Sequence, residues 1–174
     1  MIQKQTISLM VNGMVVKKEA VTGVSLADFL HEYLNLTGTK VTCAMGICKA
    51  CTVAIKPIGT DQLTRAQACI TPAASLTDFQ ILTVEGLANE PLYKPLQDAF
   101  LKHFSFQCGY CAPGFLMGAT LLIHQLKTKP IKKESIDSAI AEGMGDHVCR
   151  CTGYVRYYAA IKEVILNTPG LIES

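Results

Sequence analysis

Cys43-Ala44-Met45-Gly46-Ile47-Cys48-Lys49-Ala50-Cys51 places three thiols within nine residues, spaced C-x4-C-x2-C. Ligands this close in sequence force a tight loop around whatever they hold. Gly46 lies inside that loop, where a missing side chain lets backbone amides approach. Upstream, Ile7, Leu9 and Val11 alternate with Ser8 and Met10 as a half-buried strand does. Asn12-Gly13 then supplies a two-residue turn tolerant of positive φ, so Met14 to Glu19 returns as a hairpin partner. Ser25 and Asp28 form a capping box ahead of a helix whose Leu26, Phe29, Leu30, Tyr33 and Leu34 share one face. Thr52 to Lys56 and Gln80 to Val84 read as further strands. A hairpin, a packed helix and short strands around a cysteine loop predict a β-grasp-like domain over residues 1–84.

After Glu85 the period changes. Leu96, Ala99, Phe100 and His103 fall at i, i+3, i+4 and i+7. Phe115 to Leu126 is apolar nearly all round, as in the central member of a bundle. Ile136, Ala139, Ile140 and Met144 mark a third helix, and Val155, Tyr158, Ile161 and Ile165 a fourth. Strands followed by helices predict an α+β chain of two domains, with a helical second domain over residues 85–174 and Pro91 and Pro95 at the join.

Eight cysteines are the chemistry to explain. Cys43, Cys48 and Cys51, closed by the distant Cys69, have the plant-type [2Fe–2S] ferredoxin arrangement. The second set is Cys108 and Cys111 in Gln-Cys-Gly-Tyr-Cys, with Cys149 and Cys151 in Cys-Arg-Cys. Both pairs read as turns where a helix begins. Pro113 suits the first turn of one helix, and Thr152 is placed to cap the other. Two helix N-termini aimed at one anionic cluster would stabilise it. Two close cysteine pairs also describe a structural zinc site, and the spacing of the second set leaves both readings standing. The three-cysteine run of the first set is rare in zinc loops. His31 and His103 read as ordinary helix residues, and His147 as a solvated loop histidine near the second set.

Of 174 residues, 49% are hydrophobic and 17% charged, which excludes a disordered chain. The net charge of +2, with no run of Lys or Arg, excludes nucleic acid as partner. Phe115 to Leu126 is too short to cross a bilayer. With no secretory signal evident, the expected location is the cytoplasm, or another compartment if a partner carries the export signal. No phosphate-cradling loop, Rossmann fingerprint or Ser/His/Asp constellation is present, so no catalytic residue is assigned.

Four segments together resemble the xanthine dehydrogenase / aldehyde oxidase / carbon monoxide dehydrogenase family of molybdenum hydroxylases. They are Gly38 to Thr52, Thr83-Val-Glu-Gly-Leu87, Gln107-Cys-Gly-Tyr-Cys-Ala-Pro-Gly114 and Cys149-Arg-Cys-Thr-Gly-Tyr154. The resemblance implies a plant-type ferredoxin fold followed by a four-helix bundle. It implies one [2Fe–2S] cluster on Cys43, Cys48, Cys51 and Cys69, and a second on Cys108, Cys111, Cys149 and Cys151. It also implies a large partner subunit carrying a molybdopterin cofactor, approached by Gln107 and Cys151, with the bundle cluster nearer to it. The acceptor would be FAD on a medium subunit, or a cytochrome.

Several positions depart from the family's usual pattern. Thr42 and Lys49 stand where glycines flank the first two cysteines, Ala112 replaces a threonine, and Asp146-His147 replaces Gly-Asn. Lys49 puts a positive charge beside a centre that grows more negative on reduction, so it is expected to raise that cluster's potential. The rival readings are a free-standing two-cluster carrier and a zinc-stabilised interaction module.

Overall fold

The asparagine–glycine turn does what its chemistry allows. In the computed structural model, which describes residues 2–90 and 93–173, Asn12 and Gly13 have φ of +50° and +80°. They join β1 (Lys4–Val11) to β2 (Met14–Val21), with Val11 opposite Met14. Ile7, Leu9 and Val11 are buried, as their alternation requires. The Ser25 hydroxyl accepts from the Asp28 N–H at 3.1 Å and donates to the Asp28 carboxylate at 2.7 Å. That cap starts α1 (Leu26–Asp28), which runs on as a π-turn, Phe29–Tyr33. Leu26, Phe29 and Leu30 are fully buried against the sheet, while Tyr33 and Leu34 lie at its margin.

Three more strands complete the sheet: β3 (Thr52–Pro57), β4 (Thr64–Gln67) and β5 (Phe79–Leu82). The order is β2-β1-β5-β3-β4, with β1 and β5 parallel and every other pair antiparallel. β5 stops at Leu82 because Val84 enters a 3-10 turn, Val84–Asn89, two residues before the expected strand end. β3 is covered on both sides. Val53 packs into the core beneath α1, and Ala54 into the core formed by the helices.

Those helices are α2 (Lys94–Lys102), α3 (Ala112–Thr128), α4 (Ile136–Met144) and α5 (Val155–Asn167). Pro95 sits in the first turn of α2, where its missing N–H costs nothing; Pro91 lies outside the described residues. α3 is buried along most of its length, lies on β3 and packs against α4 and α5. The buried stripe of α5 differs from expectation. It is Tyr157, Ala160, Ile161, Val164 and Ile165, while Tyr158 is only partly covered and Val155 is 73% exposed. Lys102 and His103, at the end of α2, both reach Glu163 of α5 at 2.7 Å. Among the described residues, no helix is long and apolar enough to cross a membrane.

Candidate metal centres

The first cysteine loop is wound by residues in the left-handed region. Ala44, Gly46 and Lys49 have φ of +53°, +74° and +61°. Glycine takes this conformation freely, but Ala44 and Lys49 each cost roughly 1–2 kcal/mol. The winding turns the N–H groups of Cys48, Met45 and Ile47 toward the Cys43 sulfur and holds that thiol down at about 6. The Cys48 N–H lies 3.5 Å from it. A Cβ at Gly46 would sit 2.6 Å from Ile70 Cδ1, so that exposed side chain would have to turn aside. Cys69, from the segment after β4, places its sulfur 3.3 Å from that of Cys51. Burial, together with the neighbouring thiols, pushes Cys51 up to about 12.

The second set is built at two helix starts, as the sequence suggests. Cys111 immediately precedes α3, whose first turn contains Pro113. Cys149 and Cys151 lie just before α5. The sulfurs of Cys108 and Cys151 are 3.7 Å apart, both residues exposed. Cys111 and Cys149 lie deeper, with their thiols interacting. Burial pushes Cys111 up to about 11. Burial also opposes ionisation of Cys149, yet the Thr152 hydroxyl, the Cys111 thiol and the N–H groups of Cys151 and Thr152 outweigh it and lower that thiol.

Two polar groups that the sequence did not mark as sulfur partners serve these sulfurs. The Thr152 hydroxyl donates to Cys149 Sγ at 3.1 Å, and the buried Tyr157 hydroxyl stands 3.6 Å from Cys111 Sγ. Thr152 is therefore not the cap of α5. That place belongs to Tyr154, at φ +70°, whose N–H donates to the Thr152 oxygen and whose hydroxyl accepts from the Cys149 N–H.

His147 is a correction to the sequence reading. It is 2% exposed, with its ring against Phe115 and Nε2 donating to the Gly114 carbonyl at 3.1 Å. Gly118 makes the room, since a Cβ there would fall 2.6 Å from Nε2. Burial lowers the imidazole to about 4, so it is neutral at physiological pH. His31 is a helix residue bonded to the Thr39 carbonyl, while His103 is the residue that caps the C-terminus of α2 and bonds to Glu163.

The two loops touch directly. The Val148 N–H donates to the Cys48 carbonyl at 3.1 Å, and the Tyr110 hydroxyl donates to the Val41 carbonyl at 2.8 Å. Gly114 lies so close to the first loop that a Cβ would meet Lys49 O at 2.5 Å. Asp146 joins the contact, 2.6 Å from Arg65 of β4 and 3.8 Å from Lys49. Burial alone would raise its carboxyl, but the Arg65 guanidinium, with Lys49 adding to it, holds it below its ordinary value.

The donor set fits iron–sulfur chemistry. A tetrahedral metal with thiolate bonds of about 2.3 Å sets two ligand sulfurs about 3.8 Å apart. Cys108–Cys151, at 3.7 Å, has this spacing, and Cys51–Cys69, at 3.3 Å, lies about half an ångström inside it. Among the described residues, no three Cys, His, Asp or Glu side chains converge on a single-ion position. Paired sulfurs suit a binuclear centre with two thiolates per iron. Gln107 and Cys151 are exposed beside Cys108.

Residues 9–74 match the 2Fe-2S iron-sulfur cluster binding domain, and residues 83–162 the [2Fe-2S] binding domain. The chain is 39% identical over 148 residues to the nicotine 6-hydroxylase small subunit of Paenarthrobacter nicotinovorans, spanning 85% of this chain and 79% of that one. It is 37% identical over 153 residues to a subunit of a probable xanthine dehydrogenase of Bacillus subtilis (strain 168), spanning 88% and 81%. In the crystal structure of quinoline 2-oxidoreductase from Pseudomonas putida 86, a chain at 34% identity superposes with a TM-score of 0.78, covering 97% of this chain and 94% of that one. With both cluster-domain families matched in order and such relatives aligned over most of their length, the chain belongs to the iron–sulfur small subunits of the xanthine dehydrogenase family of molybdenum hydroxylases.

Proposed function

We propose that each four-cysteine set holds one [2Fe–2S] cluster, and that the chain relays electrons from a molybdopterin centre on a large partner subunit to FAD on a medium subunit or to a cytochrome. The first lobe, residues 1–84, is then a β-grasp domain in which Cys43 and Cys48 take one iron and Cys51 and Cys69 the other. The second, residues 85–174, is a four-helix bundle in which Cys108 and Cys151 take one iron and Cys111 and Cys149 the other. When bound, such clusters accept and release single electrons.

The chain's own groups prepare each site for negative charge. The N–H groups facing Cys43, and the hydroxyls of Thr152 and Tyr157, compensate thiolate ligands. Gln107 and Cys151 are assigned to the pterin side. Their exposure supports this, as do Phe104 and Val155, large apolar side chains each left 73% exposed. The Ser105 hydroxyl ties the Phe104 loop to the Arg156 carbonyl at the start of α5. A reducing compartment, the cytoplasm, suits eight thiols so arranged; a partner's export signal would carry the assembled complex elsewhere.

One observation carries the reading. Both lobes present sulfurs in close pairs, and the Val148–Cys48 hydrogen bond joins the backbone beside Cys149 to a ligand of the other set. Anaerobically purified protein should contain about four irons per chain, absorb in the visible and give two paramagnetic signals on reduction. Cys69→Ala should abolish one signal and Cys111→Ala the other. Colourless, zinc-containing protein, or far fewer than four irons per chain, would overturn the proposal. Co-purification with a molybdenum-containing chain separates the subunit from a freely diffusing carrier.

A further inference from the structure

Two residues that depart from the family pattern in separate lobes meet in the structure. Lys49 follows Cys48 directly, and its ammonium donates to the Gly46 carbonyl at 2.9 Å, inside the first cysteine loop. Asp146 precedes Cys149 by three positions and lies 3.8 Å from that ammonium. The carboxylate is fixed from the opposite side by Arg65, whose Nη1 bonds to it at 2.6 Å while Nη2 reaches the Gly143 carbonyl at 3.0 Å. The Lys49 side chain is only 19% exposed and that of Arg65 28%. The Asp146 side chain is 47% exposed, so it is the more screened member of the set, but the bond from Arg65 holds it in place and each charge acts on a neighbouring centre whose charge changes.

We propose that Lys49 and Asp146 form a charge pair across the lobe junction that sets the reduction potential of the centre on Cys43, Cys48, Cys51 and Cys69. Lys49 favours the reduced, more negative state, and Asp146 limits that effect. Their placement makes them a matched set. A lone lysine beside Cys48 would shift the first centre without restraint, and a lone aspartate at the lobe junction would oppose electrons arriving from the second. Arg65 positions the carboxylate and acts only through it. The inference rests on the assignment of a cluster to the first lobe.

Redox titration of the iron-loaded protein, followed by the two paramagnetic signals, tests the pair. Lys49→Gln keeps a side chain at the strained φ and removes the charge together with the ammonium's bond to the Gly46 carbonyl. It should lower the first centre's one-electron equilibrium constant by about tenfold, or about 59 mV. Asp146→Asn should raise it. The double variant should return toward the parent value, and Asp146→Glu should preserve it. If both signals persist but each single variant stays within about twofold of the parent, or both shift the same way as a loosened loop would make them, the charge pair is refuted while the cluster assignment stands. If no signal develops in the parent protein, both fall together.

Discussion

Thr152 illustrates what one hydroxyl does here. Its bond to Cys149 Sγ strengthens as negative charge accumulates on the sulfur. Hydrogen bonds to charged groups contribute about 1.5–3 kcal/mol, and only the part that differs between redox states appears in a potential. Thr152→Val should therefore lower the second centre's potential by some tens of millivolts, roughly 0.5–1 kcal/mol, in a potentiometric titration. The close spacings within Cys43–Cys51, Cys108–Cys111 and Cys149–Cys151 were legible in the sequence because they are local, whereas the approach of Cys69 to Cys51 and of Cys151 to Cys108 comes from the fold. Thr152 and Tyr157 were not legible as sulfur partners. Tyr157 lies 46 positions from Cys111, and only folding of α5 against α3 brings them together. His147 was misread for a similar reason: the space vacated by Gly118 and the carbonyl offered by Gly114 belong to another helix. Lys49 was read as a lone charge, since nothing local announces Asp146.

The start of α3 is held to the first loop by the absence of one side chain. A methyl at Gly114 would press on the Lys49 and Ala50 backbone, which cannot swing aside as a side chain would. Gly114→Ala should destabilise the protein by about 1–3 kcal/mol in chemical denaturation. α2 and α5 are linked through Glu163, whose carboxyl the bonds from Lys102 and His103 hold below its ordinary value of 4.5. A depressed folded value means the carboxylate's contribution is complete above the ordinary value and lost as pH falls through the folded one. Glu163→Gln should remove that part of the acid limb in thermal melts recorded as a function of pH. Strong periodicity made α2, α3, α4 and α5 legible, but the face of α5 was misjudged, because Val155 is the first helical residue and faces solvent. β4 was missed because Thr-Arg-Ala-Gln is a short edge strand with one apolar residue, and pairing with β3 defines it better than its composition does.

Taken whole, the molecule concentrates backbone strain around its sulfurs. Ala44 and Lys49 occupy left-handed conformations that a metal-free loop has little reason to keep. Chelation of iron should raise amide hydrogen exchange across residues 43–51 and 108–111 well before it affects β1 or the middle of α3. Uniform loss of protection would contradict this. That the sheet precedes the long helices was legible because strand and helix periods separate along the chain. Their junction was not, because Val148 to Cys48, Tyr110 to Val41 and Asp146 to Arg65 are contacts between distant segments.

Among the described residues, the Val148–Cys48 bond and the bare Gly114 hold the two cysteine regions against each other. A relay clamped in this way has a constant internal gap, so it behaves as a fixed resistor. Throttling would then fall to the docking of the large partner subunit. A covalent staple between the lobes should leave the internal transfer rate unchanged.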